Sequence, residues 1–134
     1  MTPLTTPKTT TLTISASKYL TTHPIATVLT KDWDSNTSPS TQSRFPNAGF
    51  DADLTDVDVM LSELRSKLQA EKYDGLLIGY CLRGYPERTA VFERVANVCA
   101  EEGKGARLMF STGPEDLANT ILRNIGKVGE LVER

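Results

Sequence analysis

The chain has 134 residues, 39% of them hydrophobic, and a formal net charge of −2 at pH 7. That length points to one domain, and the mild acidity gives no electrostatic ground for binding nucleic acid or an anionic membrane. No apolar run approaches the roughly 18 residues of a membrane-crossing helix, and Cys81, Cys99 and the lone His23 match no zinc spacing.

Residues 1–46 form a Thr/Ser-rich N-terminal region, read as largely disordered or weakly ordered. Thr11 to Ser15 is only a faint strand-like fragment. No acidic residue occurs before Asp32, whereas Lys8, Lys18 and Lys31 are present. An acid-free Ser/Thr-rich start resembles an organelle transit peptide, although it has no arginine and no amphipathic helix. The cysteines suggest no disulfide framework, so a reducing, cytoplasmic setting is the default and mitochondrial import the alternative. Ile25 to Thr30, IATVLT, is β-branched and apolar and reads as a candidate first strand. Lys31 to Asn47 reads as loop, with Ser35 to Ser43 a linker without apolar residues. Trp33 is expected to pack back onto the domain.

The organised α/β unit is expected over residues 47–126, with 127–134 a C-terminal tail that frays after Gly126 and Gly129. Phe50, Ala52 and Leu54 alternate with polar residues as on a half-buried strand. Asp56 or Asp58 suits the cap of the next helix, whose inner face is Met60, Leu61, Leu64 and Leu68. Glu63 and Lys67 are spaced for a surface ion pair. Gly75 to Tyr80 follows; its continuous run Leu76-Leu77-Ile78 fits a central strand covered on both faces. A polar loop with Arg83 and Glu87 comes next. Pro86 then opens a helix with Val91, Phe92, Val95, Val98 and Cys99 inward, ended by Gly103 in a left-handed cap. Arg107 to Ser111 is the last strand. Pro114 opens the last helix, with Glu115 and Asp116 against its positive end and Leu117, Ile121, Leu122 and Ile125 as its stripe.

Alternating strands and helices predict a small α/β, parallel-sheet, three-layer fold of flavodoxin- or receiver-like type, either truncated at its first strand and helix or completed by a strand from Ile25 to Thr30. Such a small core makes a protein partner or a homodimer reasonable.

Tyr73 to Gly84, YDGLLIGYCLRG, resembles the segment of response-regulator receiver domains in which a tyrosine-aspartate pair leads an apolar strand to the phosphate-accepting aspartate. The acceptor position falls on Gly79, which has no oxygen to phosphorylate. The resemblance implies a receiver-like topology without phosphotransfer. Residues 48–126 are also similar to a family of small fungal and bacterial proteins of uncharacterised activity. That pattern is carried by Tyr73, Asp74, Ile78, Gly79, Arg83, Pro86, Phe92, Glu93, Asn97, Phe110, Thr112, Pro114 and Asp116. Ser111 departs from it where asparagine is usual, and so do the bulky Tyr80 and Cys81 where small residues are usual. It implies a fold and a site location, and carries no activity.

Ligands of open α/β sheets sit beyond the carboxyl ends of the strands. The candidate binding residues are therefore Gly79, Cys81, Arg83, Glu87, Ser111, Thr112 and Asp58. Arg83 suits a small anionic ligand, a phosphate or carboxylate, or else a salt bridge to Glu87 or Asp58. Cys99 is expected in the core, and Cys81 partly exposed. Asn97 is expected to make a buried hydrogen bond. Gly79, Gly84 and Gly113 form neither a dinucleotide fingerprint nor a P-loop, so no cofactor is assigned. No catalytic pair stands out. The expected function is a non-catalytic binding or regulatory module, with a small enzyme or binder of an anionic metabolite as the alternative.

Overall fold

Thr11–Ser15, faint in the sequence, is an inner strand of the sheet. The computed structural model describes residues 9–125, apart from the side chains of Leu20 and Thr21. The first eight residues of the Thr-rich start, the glycines Gly126 and Gly129, and the tail placed at 127–134 lie outside the described residues. Four parallel strands, β1 (Thr11–Ser15), β2 (Asn47–Asp51), β3 (Gly75–Ile78) and β4 (Arg107–Phe110), lie in the order β2-β1-β3-β4. These are the first four positions of the flavodoxin-like order. The sheet is not truncated at its start: β1 is that first strand, and it carries the α/β unit back well before residue 47.

β1 is buried at all five positions. Leu12 and Ile14 face one core cluster, while Thr11, Thr13 and Ser15 alternate to the other side. Threonine is β-branched and fits a pleated strand, but Thr13 Oγ1 is buried with no hydrogen-bond partner among the described residues. Asp74 holds the amino end of this strand. Its carboxylate accepts from the Thr10 N–H at 2.9 Å, and its own N–H donates to the Thr10 carbonyl at 2.8 Å.

Ile25 to Thr30 is not a strand. After a short turn of helix, α1 (Lys18–Thr21), it opens α2 (Ile25–Asn36). Ile25, Leu29 and Trp33 are buried at the four-residue spacing of one helix face. Pro24 has no side-chain group to cap this helix, and Asp51 at the end of β2 does so instead, accepting from the Ile25 N–H at 2.8 Å. The predicted linker also contains a helix, α3 (Pro39–Arg44), with Pro39 in its first turn and the Ser38 hydroxyl accepting from the Thr41 N–H at 3.2 Å. Trp33 stacks on Phe45 at 6.4 Å and is core, as expected.

The remaining elements fall near their predicted places. α4 (Val57–Ala70) is capped by Asp56 and buries Met60, Leu61, Leu64 and Leu68. Lys67 pairs with Glu71 at 3.8 Å, not with Glu63. The loop predicted after β3 is helical: α5 (Tyr80–Arg83), then a 3-10 turn, Pro86–Arg88, leading into α6 (Thr89–Glu102). Gly103 has φ −74°, so it is not the left-handed residue; Lys104 (φ 55°) and Gly105 (φ 84°) take that role. Gly103 is needed for close approach, because a Cβ there would collide with the Cys99 carbonyl. The last helix is α7 (Leu117–Ile125).

α4 and α6 cover one face of the sheet over Leu12, Ile14, Leu76 and Ile78. α2 and α7 cover the other over Leu77 and Met109. The continuous apolar run of β3 is thus split between two cores, as a strand covered on both faces requires. No helix among the described residues is long and apolar enough to cross a membrane.

Candidate functional site

The chain reverses its direction across the sheet between β1 and β3. Beyond the carboxyl ends of these two strands lies a narrow crevice lined by Ser15, Ser17, Gly79, Cys81, Ser111 and Leu117, among others. The crevice is narrow because Gly79 lets the strands close in. Its N–H donates to the Ile14 carbonyl at 2.8 Å, and a Cβ on it would stand 2.9 Å from Ser15 Oγ. The volume is about 10 Å3, room for one water at most. A depression of about 340 Å3 lies outside the sheet edge, between α2 and Pro114-Glu115.

Arg83 ends α5 and turns back over the edge. Its Nη2 donates to the Ser111 carbonyl at 2.8 Å, and its guanidinium lies 5.5 Å from the Tyr80 ring and 6.0 Å from the Phe110 ring. It pairs with neither Glu87 nor Asp58: Glu87 is exposed on the 3-10 turn, and Asp58 on α4 pairs with Arg94 at 2.7 Å. Gly79, Cys81, Arg83 and Ser111 therefore converge at the edge, while Asp58 belongs to the helical surface. Thr112 is at the same rim but occupied, its N–H and hydroxyl both donating to the Asp116 carboxylate at 3.1 and 3.0 Å.

Cys81 is buried, not partly exposed. Cys99 is core, and burial pushes its thiol up to about 12. Asn97 is exposed on the groove between α4 and α6, away from the edge. Ser111 Oγ and Arg83 Nε are buried without a hydrogen-bond partner among the described residues.

Two residues matter here that sequence reasoning passed over. Arg88 donates to the Cys81 carbonyl at 2.5 Å and lies over the Tyr85 ring at 4.9 Å and the Tyr19 ring at 5.8 Å. Nothing in its local sequence separates it from any helix-surface arginine. Tyr19 lies on α1, within the region predicted to be weakly ordered. Its hydroxyl accepts from the Leu54 N–H at 3.1 Å and reaches Asp53 at 3.4 Å, tying α1 to the loop after β2. The rim is thus an array of Tyr19, Tyr80, Tyr85 and Phe110 with two guanidiniums laid on their rings; Tyr19 is 44% exposed, Tyr80 and Phe110 36% each.

Asp32, in the segment predicted as loop, lies on α2 and reaches the start of α7. Its Oδ2 accepts from the buried Ala118 N–H at 2.6 Å, and its Oδ1 accepts from Asn36 at 3.0 Å. Asp116, predicted to serve that helix end, turns instead to Thr112 and Thr120. Burial raises the Asp32 carboxyl above its ordinary value of 3.8. The bonds from Ala118 and Asn36 pull it back, and the negative charges of Asp116 and Glu115 add to the rise. The folded protein therefore holds this proton more tightly than the unfolded chain does. The associated stability is complete below 3.8 and is lost as pH rises through the elevated folded value. Asp32→Asn keeps an acceptor for Ala118 but cannot ionise, so its stability relative to wild type should climb over that window and level off above it. Asp32→Ala should cost about 2 kcal/mol at neutral pH by orphaning the Ala118 amide. Urea titrations at a series of pH values would show both; parallel curves for the wild type and Asp32→Asn would refute the linkage.

No protein-family model matches the chain, and no curated protein or solved structure matches it at a significant level.

Proposed function

We propose that this chain is a non-catalytic, receiver-like binding or regulatory module that engages a protein partner at the carboxyl rim of its sheet. The observation that carries this is the exposed aromatic rim, with Tyr80 and Phe110 flanking Arg83 and Tyr19 and Tyr85 flanking Arg88. Tyrosine and arginine are the side chains that most often dominate binding energy at protein interfaces. Here main-chain bonds hold Arg83, Arg88 and Tyr19 in place, so these three side chains lose little freedom on association. The crevice beneath is too small for a metabolite, since small-molecule sites are typically about 300–1,000 Å3.

The test is affinity capture with the full chain, combined with hydrogen exchange of the complex. A specific partner should protect residues 80–88 and 110–113, and should be lost with Tyr80→Ala and Phe110→Ala. A complex that protects another face, or one indifferent to both variants, would overturn the reading. The alternative, a binder of an anionic metabolite, draws on the unpartnered Arg83 Nε and Ser111 Oγ. It predicts a melting temperature raised by a phosphate, nucleotide or carboxylate in the wild type and unchanged in Arg83→Ala.

A further inference from the structure

The cations on the α4–α6 surface are matched. Arg65 pairs with Glu101 and Glu102 at 3.0 and 2.5 Å, Lys67 with Glu71, and Arg94 with Asp58. Arg83 and Arg88 differ: neither forms a salt bridge among the described residues. Each spends one Nη group on a main-chain carbonyl and lies on two aromatic rings. A carbonyl offers a partial charge and a ring a quadrupole, and neither neutralises a guanidinium. Two positive charges thus stand at either end of the Tyr80–Tyr85 ring pair, whose centroids are 5.9 Å apart, in a chain of net charge −2.

We propose that the rim docks an acidic peptide segment of a partner protein, presenting one carboxylate to Arg83 and one to Arg88. This rests on the rim being the binding site and adds the chemistry of its partner. Nη1 of Arg83 remains to donate, as do Nη2 and Nε of Arg88. Side chains between the two carboxylates would lie on Tyr80 and Tyr85. A continuous polyanion fits less well. Asp53 beside Tyr19 and Glu87 beside Arg88 border the rim and repel evenly spaced phosphates, whereas a peptide carries its charges only where they are matched.

The experiment uses the full chain and labelled peptides bearing two glutamates at increasing spacings on a leucine- and phenylalanine-containing background, each with a matched glutamine analogue. At one or more spacings the glutamate peptide should bind about tenfold or more tightly than its analogue, and weaken with added salt. Arg88→Gln should lower affinity about tenfold and Arg88→Lys much less. Because Arg83 also holds Ser111, Arg83→Lys, which keeps the charge, is compared with Arg83→Gln, and each variant is checked for its melting temperature. Equal binding of glutamine analogues, no binding at any spacing, or wild-type affinity in a folded Arg88→Gln protein would overturn the proposal. So would a single-stranded oligonucleotide that binds more tightly than every peptide. A captured partner that survives Arg88→Gln but is lost in Tyr80→Ala would keep the rim as the site and remove the acidic chemistry.

Discussion

A chain beginning at residue 47 is expected not to fold. β1 is hydrogen-bonded to β2 on one side and β3 on the other, so its removal leaves β2 without a neighbour. Leu12, Ile14, Ile25, Leu29, Trp33 and Phe45, all at most 5% exposed, leave with it. Each is worth roughly 2 kcal/mol on burial, and a domain's net stability is only about 5–15 kcal/mol. The truncated chain should show neither a cooperative urea transition nor dispersed amide resonances, whereas the full chain should show both. A cooperative transition in residues 47–134 would mean that the Thr-rich region is dispensable.

The extent of this region escaped the sequence for identifiable reasons. Strand β1 is short, and its outward set is Thr11, Thr13 and Ser15, so alternation reads as a weak half-polar fragment when every position is in fact buried. Ile25 to Thr30 carries β-branched residues, and the helical period appears only when the window extends through Leu29 to Trp33. By contrast, the inner faces of α4 and α6 were legible because their apolar spacing persists over several turns. The central position of Leu76-Leu77-Ile78 was legible because an unbroken apolar run in an α/β chain has few alternatives.

At the site, the position of Arg83 on the sheet edge followed from strand and loop order, but its partners did not. Beyond the neighbouring Tyr80 ring, they come from residues far off in the chain: Ser111 supplies the carbonyl and Phe110 a second ring. The same holds for two helix caps. Asp51 caps α2 from β2, and Asp32 caps α7 from α2. Local capping rules look to residues adjoining the helix, and here tertiary neighbours take their place.

Leu76→Ala and Leu77→Ala should each destabilise the protein by about 3–5 kcal/mol. The two side chains are adjacent in sequence, are both 0% exposed, and point to opposite faces of β3. Leu76 lies against the cluster of α4 and α6, and Leu77 against Ile25, Leu29, Leu117 and Ile121 of α2 and α7. If only the α4–α6 layer were firmly docked, Leu76→Ala would be costly and Leu77→Ala nearly neutral. Comparable losses with an unchanged urea m-value would locate the second core where α2 closes it. The prediction reaches the site as well, because β3 and α5 share a backbone through Gly79. The rim's geometry therefore depends on Leu77 being clamped from the α2 side. Leu77→Ala should then loosen α5, seen as faster amide exchange at Leu82 and Arg83, whose N–H groups bond to the Gly79 carbonyl at 3.0 and 3.2 Å.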